Sequence, residues 1–351
     1  MASPEDSLIA IASPPPQFSA GEAAEIVDEQ YGICGDLAGL VSERDQNFRL
    51  TTADGRRYVI KIANQAESTT VTDFQIRALQ HMEATGCPVS VPRIIPALSG
   101  AAMTRALSAS AEHVLRVVSY VPGRPLEEVE TDTDLARQLG RCLAHIGIAL
   151  RDFEHAGDQQ VLLWDMRRAA DLKPLLVHVP DETLRAEIGS CLDDYSANAA
   201  PRLGALRSQV IHNDFNPGNV LVTDGQPVSV AGVIDFGDMI RAPLIIDVAV
   251  ASAYLRGDDD DVLAPLMSFV SGYDSVTHLE QVELELLYDL VRTRLATTLA
   301  ILYWRLSARG EKDAYTAGSL QGGAGATRFL RAVNAIPRPE FLARLHDSCE
   351  H

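Results

Sequence analysis

Before about residue 122 the apolar positions alternate or fall in short β-branched runs between turn residues; beyond it they recur mostly at helical intervals. Alternation bounded by turns predicts strands, and the longer interval predicts amphipathic helices. Three strands are expected at 35–41, 47–52 and 57–63, with Asp54-Gly55 as the hairpin turn between the second and third. Further strands are expected at 91–97, 102–107 and 113–121. Two helices accompany them. Ser19 can cap the first, 21–31, with Gly32 as its stop, and the second starts at Thr72 or Asp73 and runs to about Thr85, before Gly86, on Phe74, Ile76, Leu79 and Met82.

Pro122-Gly123 then breaks the chain, as a hinge would. Residues 134–155 carry Leu135, Leu139, Leu143, Ile146, Leu150 and Phe153 near helical spacing, with Gly157 past the end. Helices are also expected at 167–177, 181–198, 244–255 and 278–309. The segment 314–334 holds Gly318, Gly322, Gly323 and Gly325, so its helix is expected to be interrupted. With 351 residues the chain exceeds one ordinary core. The fold class is therefore α+β in two lobes: an antiparallel sheet with one main helix over 19–121, and a mainly helical lobe over 122–351, preceded by a polar, proline-containing arm over 1–18.

The formal net charge of −18 argues against a nucleic-acid partner, whose phosphates call for Lys and Arg. Such a field suits a cationic small molecule, although solubility alone would also account for it. The five cysteines are scattered without paired spacing and read as free thiols in a reducing cytoplasm. No stretch reaches the roughly 18 apolar residues of a membrane span, so no membrane partner is expected. The acidic run 257–261 (GDDDD) reads as the solvated first turn of a helix, and its ligand spacing is wrong for calcium.

Chemistry concentrates in 210–247, VIHNDFNPGNVLVTDGQPVSVAGVIDFGDMIRAPLIID. His212-Asn213-Asp214 and Asp235-Phe236-Gly237-Asp238 each follow a short β-branched run, so two acidic groups are expected to leave adjacent strands on the same side. Singly, each of these residues is an ordinary turn former. Together they suit phosphoryl transfer, which asks a protein to position an acceptor and to neutralise charge. Asp214 would orient a hydroxyl and accept its proton, while Asn219 and Asp235 would offer oxygen ligands to magnesium. Asp247, inside IIDVAVA, is costly to bury alone and should accept hydrogen bonds from the 212–214 loop.

HNDFNPGN (212–219) and IDFGDMIRAPLIID (234–247) resemble the signature of the aminoglycoside phosphotransferase family, the small-molecule branch of the protein kinase-like fold. SERDQNF (42–48), LWDM (163–166) and DVAVASAY (247–254) are similar to its hydroxylysine kinase branch. The resemblance implies transfer of the γ-phosphate of ATP or GTP, with Mg2+, to a hydroxyl of an amine-containing acceptor such as hydroxylysine or a related amino acid or amino alcohol. An aminoglycoside acceptor and nucleotide binding without catalysis are the alternatives. Lys61, in YVIKIAN, by pattern alone either points to solvent or reaches into a site; the resemblance makes it the phosphate contact. It also puts the loop 42–46 over the phosphates, with Ser42 and Arg44 as candidates, and the nucleotide ring against the backbone of Ser119 to Val121. Gln75 stands where the family's pattern has a lysine-pairing glutamate, so either Glu67 or Glu83 substitutes or the lysine is held more loosely. Asp289, Arg292 and Arg294 sit mid-helix, where Asp289 and Arg292 form an intrahelical pair or the helix lines the acceptor pocket.

Overall fold

The computed structural model describes residues 15–42, 44–108, 111–258, 260–309 and 314–349. Residues 1–14 of the expected arm, Glu43 of the 42–46 loop and Asp259 of the acidic run lie outside them. The chain divides into two compact units, one running up to Pro122 and including Glu154–Val161, the other formed by Gly123–Phe153 and everything from Leu162 onward.

In the first unit, α1 (Ala20–Tyr31) starts where the sequence signals it. Ser19 Oγ accepts the Glu22 N–H and Glu22 returns its carboxylate to the Ser19 N–H, a reciprocal cap; Gly32, at φ 66°, ends the helix. The strands β1 (Asp36–Leu40), β2 (Gln46–Thr51) and β3 (Arg57–Ile62) form the expected antiparallel meander. After α2 (Thr69–Ala84) come β4 (Ile94–Ile95), β5 (Thr104–Leu107) and β6 (Glu112–Ser119), giving the order β1-β2-β3-β6-β4, with β5 also on β6. α2 begins three or four residues earlier than the expected start at Thr72 or Asp73 because Ser68 caps it, and β4 is only two residues long.

Pleating sorts the side chains of this sheet. Phe48, Leu50, Ile60, Ile62, Leu115 and Val117 turn to one face and bury against Val27 and Tyr31 of α1. Phe18 joins that core at 6% exposure, so the last residues of the expected arm are packed. Lys61 alternates to the other face, level with Arg116 of β6 and Asn47 of β2.

The second unit opens with β7 (Arg124–Pro125) and α3 (Thr133–Leu150). α3 buries every apolar position predicted for it up to Leu150 but stops there; 154–161, expected as its end and beyond, belongs to the first unit, where Gly157 packs against Thr70 and Phe74. 3-10 turns over Met166–His178 kink at Arg168 and contain Pro174, so the expected 167–177 helix is not α-helical. Then follow α4 (Glu182–Asp194), a π turn, and the short α5 (Ala200–Leu203). β8 (Ser208–Ile211) pairs with β11 (Ile240–Pro243), whereas β9 (Val220–Val222) pairs with β10 (Val230–Val233) and β7.

Helices α6 (Leu244–Ser252), α7 (Ala264–Asp274), α8 (Gln281–Arg309), α9 (Ala314–Ala335) and α10 (Arg338–Cys349) complete the chain. α3 and α7 touch backbone to backbone: a Cβ on Gly140 would strike the Phe269 carbonyl, and one on Gly272 that of Arg137. The acidic run precedes α7 instead of starting it, and Asp261 is paired with Arg344 of α10 at 2.6 Å. The expected break in α9 does not occur. Two of its glycines sit at contacts: Gly323 abuts the end of the Leu302 side chain of α8 and Gly325 abuts the Arg256 guanidinium, so a side chain at either would have to displace them. No helix of the described residues is long and apolar enough to cross a membrane. The architecture is the α+β one expected, an N-terminal antiparallel sheet followed by a mainly helical region.

Candidate active site

Two separate ribbons assemble the acidic site of the second unit. The expectation that both acidic clusters leave adjacent strands is corrected here: Asp214 follows β8 and Asp235 follows β10, and these strands lie in different sheets. It is Asn219 that shares a ribbon with Asp235. Asn219 immediately precedes β9, Ile234 immediately follows β10, and the Ile234 N–H donates to the Asn219 carbonyl at 2.9 Å, which puts Asn219 and Asp235 at one end of the hairpin.

The same Asn219 joins the ribbons. Its Nδ2 donates to the Asp214 carbonyl at 3.0 Å and to Asp214 Oδ2 at 2.8 Å. With the amide nitrogen committed to Asp214, the amide oxygen is the end left to act as a ligand, and a neutral oxygen beside the exposed Asp235 carboxylate is the donor set a hard cation takes. No group of three or more His, Cys, Asp or Glu side chains arranged for a metal occurs among the described residues. An oxygen site completed by phosphate and water fits what is present.

Asp214 is mostly buried, and burial together with the nearby Asp238 carboxylate pushes its pKa up to about 7; Arg294 works in the opposite sense. Arg294, 5% exposed on α8, brings Nη2 to 3.4 Å from Asp214 Oδ1 and 3.2 Å from the Tyr254 hydroxyl. Burial would lower the Arg294 pKa, but Tyr254 and Asp214 more than offset it.

The loop carrying Asp214 is braced from behind. Asp247 of α6, buried, accepts the His212 N–H at 3.0 Å and the Asn213 N–H at 2.7 Å, the role its sequence setting predicts. Burial raises its pKa to about 6 against the pull of those two donors. Asn213 holds φ at 64°, a backbone conformation Asn tolerates better than most residues, and donates Nδ2 to the Asp238 carbonyl at 3.1 Å. His212 is wholly buried, stacked edge-on against Phe236, with Nε2 facing the Ile234 carbonyl at 3.3 Å and Nδ1 facing the Asp214 N–H at 3.3 Å. That pattern needs a neutral ring, and burial holds its pKa down at about 4.

In the first unit, Gln75 does not stand in for a lysine partner. Its Oε1 accepts from Nη2 of Arg116, which is 3% exposed. Glu67 is the acid of this face: burial and then Asp45 raise its pKa, while Arg116 and Arg44 pull it down. Glu83 lies elsewhere, in an exposed pair with Arg93. Asn64 fastens the 42–46 loop, donating Nδ2 to the Arg44 carbonyl and its N–H to Asp45 Oδ1, both at 3.1 Å. Ser42 is half-buried beside it. Ser119 commits its N–H to the Arg93 carbonyl at 2.8 Å and Tyr120 its N–H to the Arg57 carbonyl at 3.3 Å, while Val121 is buried directly after them.

From the sequence Arg116 and Tyr254 carry no role, and Arg294 only the open alternative that its helix lines an acceptor pocket. Arg116 had a faint signal, a charge inside the apolar run HVLRVVSYV, and Arg294 sat in a helix already singled out. Arg292 and Asp289 are not chiefly each other's partners, being 3.8 Å apart; Arg292 meets Asp194 at 2.9 Å and Asp289 meets Arg338 at 2.9 Å, tying α8 to α4 and α10.

Hydroxylysine kinase from Danio rerio is 24% identical over 317 residues, covering 86% of this chain and 88% of that relative. Among solved structures, a microcompartment-associated aminopropanol kinase superposes with a TM-score of 0.63 at 17% identity, covering 90% of this chain and 98% of that one. An amicoumacin kinase in complex with AMP-PNP, Ca2+ and Ami superposes with a TM-score of 0.65 at 14% identity, covering 92% and 95%. The profile of the phosphotransferase enzyme family, APH, matches residues 37–281, and the residues that converge around Asp214 lie within that span apart from Arg294, so this chain belongs to the phosphotransferase enzyme family.

Proposed function

We propose that this phosphotransferase moves the γ-phosphate of ATP or GTP, as its Mg2+ complex, onto a hydroxyl of a small cationic acceptor, hydroxylysine or a related amino acid or amino alcohol. The observation that carries the reading is the position of Asn219, whose amide nitrogen holds the Asp214 carboxylate while its backbone carbonyl is fixed beside Asp235. Asp214 orients the acceptor hydroxyl and receives its proton. Asn219 and Asp235 hold the magnesium, which, when bound, neutralises charge on the transferring phosphate. Lys61, with Ser42 and Arg44 of the loop tied down by Asn64, serves the nucleotide phosphates, and the backbone from Ser119 to Val121 serves its ring.

The acidic surroundings of Asp214, with Asp235 and Asp238 both acting on it, favour an acceptor bearing an ammonium group. The relationship to hydroxylysine kinase over most of the chain supports an amino-acid acceptor. A second reading, nucleotide binding without transfer, is favoured by one observation: Gln75 stands where the family's pattern has a lysine-pairing glutamate, and its amide oxygen is taken by Arg116. Magnesium-dependent turnover of ATP and GTP across a panel of hydroxylated amines, including hydroxylysine and aminoglycosides, separates these. Turnover should require an amine-containing alcohol and should vanish in Asp214→Ala with nucleotide affinity retained. Nucleotide binding with no turnover on any acceptor would establish the second reading.

A further inference from the structure

We propose that Arg294 is the positioning residue of this site, its guanidinium, steered by the Tyr254 hydroxyl, holding Oδ1 of Asp214 so that the carboxylate keeps one rotamer toward the acceptor. This rests on the reading of Asp214 as the group that meets the alcohol.

A carboxylate gripped through one oxygen can still turn about its Cβ–Cγ bond. Asn219 takes Oδ2 at 2.8 Å, and Arg294 stands on Oδ1 at 3.4 Å from a helix distant in sequence, so each carboxylate oxygen has its own partner. The 3.4 Å separation is long for a hydrogen bond and suits an ion pair. Without it, the push of Asp238 and Asp235 on Asp214 would lose the opposing pull of this guanidinium. Burying a guanidinium is expensive unless its partners are well placed. Arg294 is 5% exposed, its Nε has no hydrogen-bond partner among the described residues, and its Nη2 meets only Tyr254 and Asp214. The tip is therefore the part of this side chain that carries its polar contacts. Tyr254 sets where that tip lies: its hydroxyl accepts at 3.2 Å and its ring centroid is 5.9 Å from the guanidinium carbon.

The test combines kinetics with crystallography on the full chain. Arg294→Gln should lower kcat by roughly 10- to 100-fold, the cost of a misplaced catalytic group, with the nucleotide KM within about twofold. Arg294→Lys should recover part of the loss, because a cation returns without the planar fork. Tyr254→Phe should lose roughly 3- to 10-fold in kcat with the fold intact, and it keeps the idea testable if Arg294→Gln does not fold. Unchanged kcat in these variants, or a loss confined to the acceptor KM, overturns the proposal; the latter would make Arg294 an acceptor contact. If the unsubstituted protein turns over no acceptor, the kinase reading fails on its own. The crystal structures of the variants then decide the Arg294 claim, with a rotated Asp214 carboxylate supporting it and an unmoved one overturning it.

Discussion

The Asp247 carboxylate, on a helix that follows the site in sequence, accepts the backbone N–H of Asn213 at 2.7 Å and so sets the turn from which Asp214 projects. The neighbouring His212 N–H, at 3.0 Å on the other oxygen, completes the grip. Asp247→Ala would leave two buried amides without acceptors, and we predict a loss of about 3 kcal/mol in stability. Activity should fall by more than the stability change explains, since the loop itself relaxes. Asp247→Asn, which keeps one acceptor oxygen, should be milder in both respects. Urea midpoints and turnover measured side by side test this, and an Ala variant as stable and active as the parent would refute the brace.

His212 gives a pH signature whose sign can be worked out. Its folded pKa of about 4 lies below the ordinary 6.5, so below pH 6.5 the unfolded chain takes up a proton that the folded one refuses. The stability advantage over His212→Gln is therefore full above about pH 6.5 and is lost as the pH falls toward 4, at up to about 1.4 kcal/mol per unit. Denaturant titrations of both proteins across that range measure the difference directly. A gap independent of pH would mean that the ring is not neutral and buried.

Gln75 and Arg116 form a buried couple in the first unit, so removing Gln75 takes a hydrogen-bond acceptor from a buried guanidinium. Gln75→Ala should cost about 2 to 4 kcal/mol by leaving a guanidinium without its acceptor. The double change Gln75→Leu with Arg116→Met should recover only part of that, since it removes the stranded guanidinium but also the cation that opposes the burial of Glu67. Equal stabilities for the single and double variants would count against the pairing.

Gly140 and Gly272 let α3 and α7 meet through their backbones, each glycine facing the other helix's carbonyl. Gly140→Ala should therefore destabilise by about 1 to 3 kcal/mol, through displaced helices and not through helix propensity, which favours Ala. A denaturant midpoint unchanged or raised would show that the contact has slack.

What could be determined from the sequence were features written in neighbouring residues. The Ser19 cap and Gly32 stop, the Asp54-Gly55 hairpin, the strand that carries Lys61 and the HNDFNPGN and IDFGD clusters each depend on a few consecutive side chains and their backbone preferences. Asp247 was also legible, because an acid in an apolar helix must find donors. The tertiary structure alone decided which distant elements meet. β8 sits apart from β10, Gln75 faces Arg116, α9 runs unbroken through its glycines, and Arg294 arrives beside Asp214. Those outcomes follow from how helices and ribbons pack, where a close approach outweighs the poor helix propensity of glycine and a buried charge takes whichever partner the packing brings within reach.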